Sequence, residues 1–260
     1  MKEDAMNDLF SLQGRIALVT GGSRGIGRMI AAGFLGQGAT VYISSRKAAA
    51  CDDAARQLSA SGQCLSLPAD VSTVAGAQGL AQAFLERSDR LDILVNNAGV
   101  AWGEAFDTFS ESGWNKVVDL NMKAPFFLTQ ALHEPLRRAA VARPAKVINI
   151  ASIDGISVNP WETYSYAASK AGLIHLTRRM ALRLVQDNIV VSGIAPGAFA
   201  SDMNRTARDH ADEVARQIPA GRIGRDEDMA AAAIYLASRA GDYVVGETIV
   251  VDGGATLARG

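Results

Sequence analysis

Apolar residues along the chain follow two alternating rhythms. Short runs rich in β-branched side chains occupy 16–20, 40–45, 64–67, 93–96, 146–150, 189–194 and 248–251. Between them lie longer windows, among them 26–37, 49–61, 75–87 and 167–186, with apolar residues at i, i+3 and i+4. The first rhythm predicts buried strands and the second predicts amphipathic helices. Their alternation predicts an α/β fold, a doubly wound, mostly parallel sheet with helices on both faces. No repeat, low-complexity linker or composition break divides the chain, so a single domain over 1–260 is expected, with residues 1–13 as an N-terminal extension. Region 198–221 is the least regular: it follows Pro196-Gly197, holds a short helical window and ends near Pro219 and Gly221. It reads as a flexible flap. The Ala-rich stretch 229–237 follows Asp226-Glu227-Asp228, an acidic first turn opening a buried helix.

Charge narrows the partners. Lys+Arg number 26 against Asp+Glu 27, a net charge of -1, so the basic surplus that grips nucleic acid is missing. Two cysteines, Cys51 and Cys64, form neither a disulfide framework nor a CxxC pair, and a reducing, cytoplasmic compartment is expected. His133, His175 and His210 have no metal-ligand spacing, and no metal is assigned. The opening Met1-Lys2-Glu3-Asp4 lacks the layout of a signal peptide, and no segment reaches the roughly 18 to 20 apolar residues of a membrane span.

The first strand runs directly into Gly21-Gly22-Ser23-Arg24-Gly25-Ile26-Gly27 and then into a helix. Glycines permit close backbone approach, and the amides and dipole of the helix N-terminus face an anion, so this turn is a phosphate cradle. A dinucleotide site expects an acidic residue about 20 residues further on to hold the ribose hydroxyls of NAD. The second strand instead ends Ser44-Ser45-Arg46-Lys47. Nothing there repels a 2′-phosphate, and Arg24 and Arg46 could clamp one from two sides, which favours NADP(H).

Tyr166 and Lys170 stand four residues apart, one helical turn on the same face. The ammonium can lower the phenol pKa from its usual value of about 10 towards the operating pH of a proton donor. Tyr164 has Ala168 at the same offset and does not qualify.

The GxxxGxG turn after Thr20, the Asn96-Asn97-Ala98-Gly99 segment, Ser152 fourteen residues before Tyr166, Asn121 in Asp119-Leu120-Asn121-Met122, and Tyr166 with Lys170 together resemble the short-chain dehydrogenase/reductase family. The resemblance covers nearly the whole chain. It implies a Rossmann-type sheet of about seven strands, an oxidoreductase interconverting a carbonyl and a secondary alcohol, and a homotetramer. It also implies roles: Tyr166 gives the proton, Ser152 hydrogen-bonds the carbonyl oxygen, Lys170 holds the nicotinamide ribose and tunes Tyr166, and Asn121 positions a relay water. Asp70 and Val71 would meet adenine, Asn97, Ala98 and Gly99 would lie beside the cofactor ribose, and Ile194, Pro196, Gly197 and Ser201 would meet the nicotinamide. Departures from the family pattern are Ser192, Ser201, Arg225-Asp226, and a Ser152–Tyr166 interval one residue longer than usual. The last puts the substrate loop 154–164 in question.

Within the family, the opening 10–27 with Asn97-Ala98-Gly99 and Trp102-Gly103 looks most like 3-oxoacyl reductases of the rhamnolipid-biosynthesis type. Reductases of the gluconate 5-dehydrogenase type share much of that opening. Candidate substrate residues are Trp102, Asp154, Trp161 and Phe199, with Trp102 and Phe199 equally readable as packing. An acyl carrier protein would need a basic patch, for which Arg137, Arg138, Arg178, Arg179 and Arg183 are available; the same arginines read equally as a solvated helix face, which leaves a coenzyme A thioester or a free ketone as alternatives. The rival class is a non-catalytic dinucleotide-binding sensor or scaffold.

Overall fold

The structure is a computed structural model and describes residues 8–258. Of the expected N-terminal extension, residues 1–7 lie outside the described part. Seven strands, β1 (Ile16–Thr20), β2 (Thr40–Ser44), β3 (Cys64–Ser66), β4 (Ile93–Asn96), β5 (Ala145–Ile150), β6 (Ile189–Pro196) and β7 (Thr248–Val251), form one parallel sheet in the order β3-β2-β1-β4-β5-β6-β7. Each of the seven expected runs became a strand. β6 continues two residues past its expected end, with Pro196 held between the last apolar residues and the start of the flap.

Alternation of side chains across the pleat sorts the core into two layers. On β1, Ala17 and Val19 face α1 (Gly25–Gly36), α2 (Ala48–Leu58) and α10 (Asp226–Ala237). Leu18, between them, faces α3 (Val74–Leu85), α5 (Ala124–Ala131) and α6 (His133–Ala139). The long α7 (Tyr164–Leu184) completes that second layer through Met180 and Ala181, beside α4 (Glu111–Val118). Gly33 is required where α1 crosses α10, because a Cβ there would fall 2.7 Å from the Cβ of Ala230. Two short helices, α8 (Arg205–Asp209) and α9 (Ala211–Ala215), occupy the expected flap, and α11 (Ala255–Ala258) follows β7.

A buried polar chain fixes α7 to the sheet. Asn96 Nδ2 donates to Asn149 Oδ1 at 2.9 Å and to Thr129 Oγ1 at 3.2 Å, and Asn149 Nδ2 donates to Thr177 Oγ1 at 2.9 Å. Every member is satisfied, so the chain sets register between β4, β5, α5 and α7 instead of weakening the core.

At the opposite end of the sheet, the buried Lys146 ammonium lies 2.7 Å from Asp242 Oδ1. Burial lowers the Lys146 pKa and Asp242 pulls it back up. Removing one partner of a fully buried pair costs roughly 3–5 kcal/mol. Asp242 keeps about a third of its side chain in water, which reduces the expected loss for Asp242→Asn to about 2 kcal/mol. In a chain of this size that is a Tm drop of roughly 4–8 °C in a thermal melt. An unchanged Tm would mean that Lys146 is solvated without Asp242.

Candidate active site

The sheet reverses its direction of growth between β1 and β4, the place where an open α/β sheet leaves a crevice at the carboxyl ends of its strands. The sequence puts its glycine-rich turn there. Thr20, the last residue of β1, ties the two strand ends together: its Oγ1 donates to Val95 O and accepts from the amides of Asn97 and Ala98, each at 3.0 Å. Asn97 Nδ2 returns to Thr20 O at 2.8 Å. Gly21 and Gly25 have φ of +66° and +52°, a region other residues rarely enter, and a Cβ on Gly27 would collide with Gly21 O.

These residues fit a bound dinucleotide. The N-terminus of α1 has no side-chain cap and no acidic residue in its first turn, so its amides are open to an anion. No carboxylate ends β2, Arg46 is exposed, and Ser45 Oγ is buried without a hydrogen-bond partner, as a group awaiting an acceptor would be. Asp70 follows β3, where its Oδ1 accepts from Ser72 N at 3.0 Å, and Val71 is buried beneath it. Gly197 must be small because a Cβ would come within 2.8 Å of Asp252.

Arg24 is not open in the way Arg46 is. Its Nη1 lies 2.6 Å from Asp202 Oδ2 of the flap, and Asp202 Oδ1 also holds Arg208 Nη1 at 2.7 Å. Ser201 lies over the glycine turn, 3.3 Å from where a Cβ of Gly25 would stand, and its Oγ accepts from Asn204 N at 3.1 Å. A cleft of about 550 Å³ lies between Arg24, Arg28, the flap and α10. Its walls adjoin the phosphate turn and include none of Asn121, Ser152, Tyr166 and Lys170.

Those four side chains are brought together by β4, β5 and α7. Ser152 leaves the end of β5, and its Oγ accepts from Asp154 N at 3.2 Å. Lys170 is buried and donates to Ile150 O at 2.7 Å. Asn121 sits in a π-helical turn, Asp119–Lys123, a wide turn often found at functional sites. Its side chain pairs reciprocally with the Val100 main chain, both bonds 2.9 Å, and its Nδ2 also reaches Ser169 Oγ at 3.2 Å. Both amide protons are therefore used.

Burial of the phenol pushes Tyr166 up to about 12, although the residue as a whole is only half-buried; a hydrogen bond with Ser152 pulls it down and the charge of Asp154 raises it further. Burial brings Lys170 down to about 8. The lowering influence expected from Lys170 comes instead from Ser152. The ammonium is turned to Ile150 O and stands 5.6 Å from the Tyr166 ring centroid.

The substrate candidates divide. Phe199 is only 2% exposed and packs on Gly224, so it is core and not pocket. Trp102 is half-buried against Gly113, with Lys116 Nζ 4.4 Å over its ring, which makes it a brace between its loop and α4. Trp161 is exposed and Asp154 lies near enough to Tyr166 for its charge to raise the phenol pKa. Sequence reasoning passed over Phe106 and Phe109: both meet Tyr164 edge-on, at 5.6 and 5.7 Å, and Glu162 joins their loop to the segment before Tyr166. No spacing signal marks this contact, since Phe106 and Glu162 are 56 residues apart. Three of the five arginines of the patch are paired: Arg137 and Arg138 with Glu134, and Arg183 with Asp187 at 2.7 Å. Among the described residues no cluster of metal ligands occurs, and no helix is long and apolar enough to cross a membrane.

Residues 21–256 match the family model described as Enoyl-(Acyl carrier protein) reductase. The rhamnolipids biosynthesis 3-oxoacyl-[acyl-carrier-protein] reductase of Pseudomonas aeruginosa is 52% identical over 97% of this chain and 100% of that protein. The solved complex of Pseudomonas aeruginosa RhlG with NADP superposes with a TM-score of 0.92 at 52% identity, covering 95% of this chain and 98% of that one. A 2-dehydro-3-deoxy-D-gluconate 5-dehydrogenase of Dickeya dadantii is 37% identical over 94% of this chain and 96% of that protein. Matched by that family model over most of its length and by a relative at 52% identity, and sharing the fold of the solved complex, the chain belongs to the short-chain dehydrogenase/reductase family of oxidoreductases.

Proposed function

We propose that the protein is an NADP(H)-dependent reductase of 3-oxoacyl thioesters, carrying the proton on Tyr166. The observation behind this reading is the Tyr166 phenol, hydrogen-bonded with Ser152 and one helical turn from the buried Lys170 ammonium. A group so placed is an acid at neutral pH, as reduction of a carbonyl requires. When bound, NADPH would supply the hydride. Tyr166 passes its proton to the carbonyl oxygen, and Ser152, beside it, hydrogen-bonds the same oxygen as charge develops. Lys170 holds the nicotinamide ribose and, with its pKa near 8, returns a proton towards Tyr166. Because the amide protons of Asn121 are taken by Val100 and Ser169, a relay water would be accepted at its carbonyl groups.

Gly21, Ser23, Gly25, Ile26 and Gly27 hold the pyrophosphate, Ser45 and Arg46 with Arg24 the 2′-phosphate, and Asp70 and Val71 the adenine. Asn97, Ala98 and Gly99 line the ribose, and Pro196, Gly197 and Ser201 the nicotinamide. The open α1 N-terminus and the absence of a carboxylate after β2 support the phosphorylated cofactor. Coenzyme A and acyl carrier protein both remain carriers in this reading: Glu134 and Asp187 pair with Arg137, Arg138 and Arg183, while Arg178 and Arg179 make no ion pair among the described residues. The residues 198–221 act as the substrate flap. Exposed Trp114, Phe126 and Leu182 on α4, α5 and α7, and Val250 on the edge strand β7, support a homotetramer, to be tested by light scattering. Cys51 and Cys64 are buried free thiols, in keeping with the cytoplasm.

The test is the absorbance of the nicotinamide band with NADPH, then NADH, across 3-oxoacyl thioesters and keto sugar acids. NADPH oxidation with the thioester is the expected result. Turnover of keto sugar acids alone would assign the protein to the gluconate 5-dehydrogenase branch. Tight NADPH binding with no turnover would leave a non-catalytic sensor.

A further inference from the structure

Between Ala200 and Arg222 the flap buries only Ala207 and Ile218. Ile218 is 7% exposed although it stands in an irregular turn between two exposed residues. Its side chain belongs to neither layer of the main core. It packs in a small separate cluster with Ile153 and Ala255, ringed by Ala198, Val214 and Ile223. The stem of the flap on that side is tied down: Ala220 N donates to Gly253 O at 3.0 Å and Gly224 N to Ala198 O at 2.9 Å. A buried side chain carried on a fixed stem passes a displacement on to its neighbours, because close-packed apolar groups have little free volume to absorb it.

Ile153 follows Ser152 and opens the turn Ile153–Gly155, on which the Ser152 hydroxyl depends. Ser152 Oγ accepts from Asp154 N at 3.2 Å, and Gly155 N donates to Ser152 O at 3.0 Å. The other side of the turn lies flat on α7, since a Cβ on Gly155 would stand 2.6 Å from the carbonyl carbon of Lys170 and 2.7 Å from Ala171 N. The turn is thus gripped from two directions, by the backbone that carries Lys170 and by the apolar cluster that holds Ile218. Any shift of the turn moves Asp154 N, and with it the hydroxyl that is hydrogen-bonded with Tyr166.

We infer that Ile218 is a positioning residue for the reduction: through Ile153 it presses the Ser152 turn onto α7 and fixes the Ser152 hydroxyl against the Tyr166 phenol. The place of the flap therefore governs the chemical step as well as access to the site. This inference rests on the reductase reading, in which Ser152 and Tyr166 share the carbonyl oxygen, and names a residue on which that sharing depends. A gap beside Ile153 lets the turn lift, and a misplacement of about 1 Å in a reacting group costs on the order of a hundredfold in rate.

The test compares Ile218→Val, Ile218→Ala, Ser152→Ala and the double variants with the unaltered protein, using NADPH and the N-acetylcysteamine thioester of 3-oxobutanoate. Single turnovers with enzyme in excess over NADPH give a rate constant that does not depend on the fraction of protein folded, and NADPH deuterated at the transferred hydrogen identifies the hydride step. Ile218→Ala should slow that step about ten- to hundredfold and Ile218→Val about two- to threefold, with the Kd for NADPH within about twofold. In the Ser152→Ala background the same Ile218 changes should cost less than about threefold, because the hydroxyl they position is gone. A merely structural Ile218 would lower the Tm and leave the hydride step as it is. A hydride step unmoved by either Ile218 variant, or equal losses with and without Ser152, overturns the inference and leaves the reductase reading intact. Should the alanine variant not fold, the valine variant carries the same comparison in both backgrounds. An unaltered protein that reduces no 3-oxoacyl thioester overturns the reading itself, and the inference with it.

Discussion

Tyr166→Phe is expected to lose roughly 1,000-fold in turnover, within the 10²–10⁴ range of a positioned general acid, while NADPH binding measured by fluorescence stays within about twofold. The ring that lies against Lys170 is kept, and what disappears is the hydroxyl hydrogen-bonded with Ser152. The pH dependence follows from the same groups. With Tyr166 pushed up to about 12, the acid form is present throughout the neutral range, so the left side of the reduction profile should be flat. Lys170, brought down to about 8, is charged below that value and loses its proton above it. Reduction should therefore fall as pH rises through about 8, and Lys170→Arg should remove that limb in whatever activity it retains. Alcohol oxidation needs the phenolate, a fraction on the order of 10⁻⁵ at pH 7 for a group at about 12, so it should climb with pH. A Tyr166→Phe variant with wild-type turnover would remove Tyr166 from the reaction and require another acid near Ser152.

The parts of this site visible in the sequence are those in which local geometry and chemistry coincide. A strand, a glycine turn and a helix in succession can form little other than an anion cradle, and a Tyr–Lys offset of four fixes both groups on one helical face. The five inner strands were visible because each is buried on both sides of a parallel sheet and reads as a continuous apolar run. What stayed hidden depends on pairs far apart in the chain. Arg24 reads as a free phosphate ligand until Asp202, 178 residues later, is seen against it. Phe199 reads as a pocket aromatic, but the narrow space beside Gly224 draws it into the core. The direction in which Lys170 points is decided by a carbonyl at the end of β5, and the widened turn at Asn121 has no spacing signature.

The difference between Arg24 and Arg46 leads to a prediction about cofactor choice. Arg46 makes no ion pair among the described residues, so its guanidinium is available to a 2′-phosphate without breaking anything. Arg46→Ser should weaken NADPH binding about ten- to hundredfold, the effect of one charge-assisted hydrogen bond worth about 1.5–3 kcal/mol, and should leave NADH within about threefold. Arg24 must first give up Asp202, so the same phosphate gains less from it, and Arg24→Ala should cost NADPH less than Arg46→Ser does. Asp202→Asn works in the opposite direction. With the competing carboxylate neutralised, Arg24 turns to the phosphate, and NADPH should bind a few-fold more tightly; the gain is limited because both side chains are exposed and the pair is screened. Titration of all three variants with both cofactors separates the alternatives. If Arg46→Ser weakens NADPH and NADH equally, Arg46 only solvates the start of α2, and selection of the phosphorylated cofactor must come from the turn and Ser45. If Asp202→Asn weakens NADPH instead of tightening it, the flap carboxylate holds Arg24 in place for the phosphate and does not compete with it.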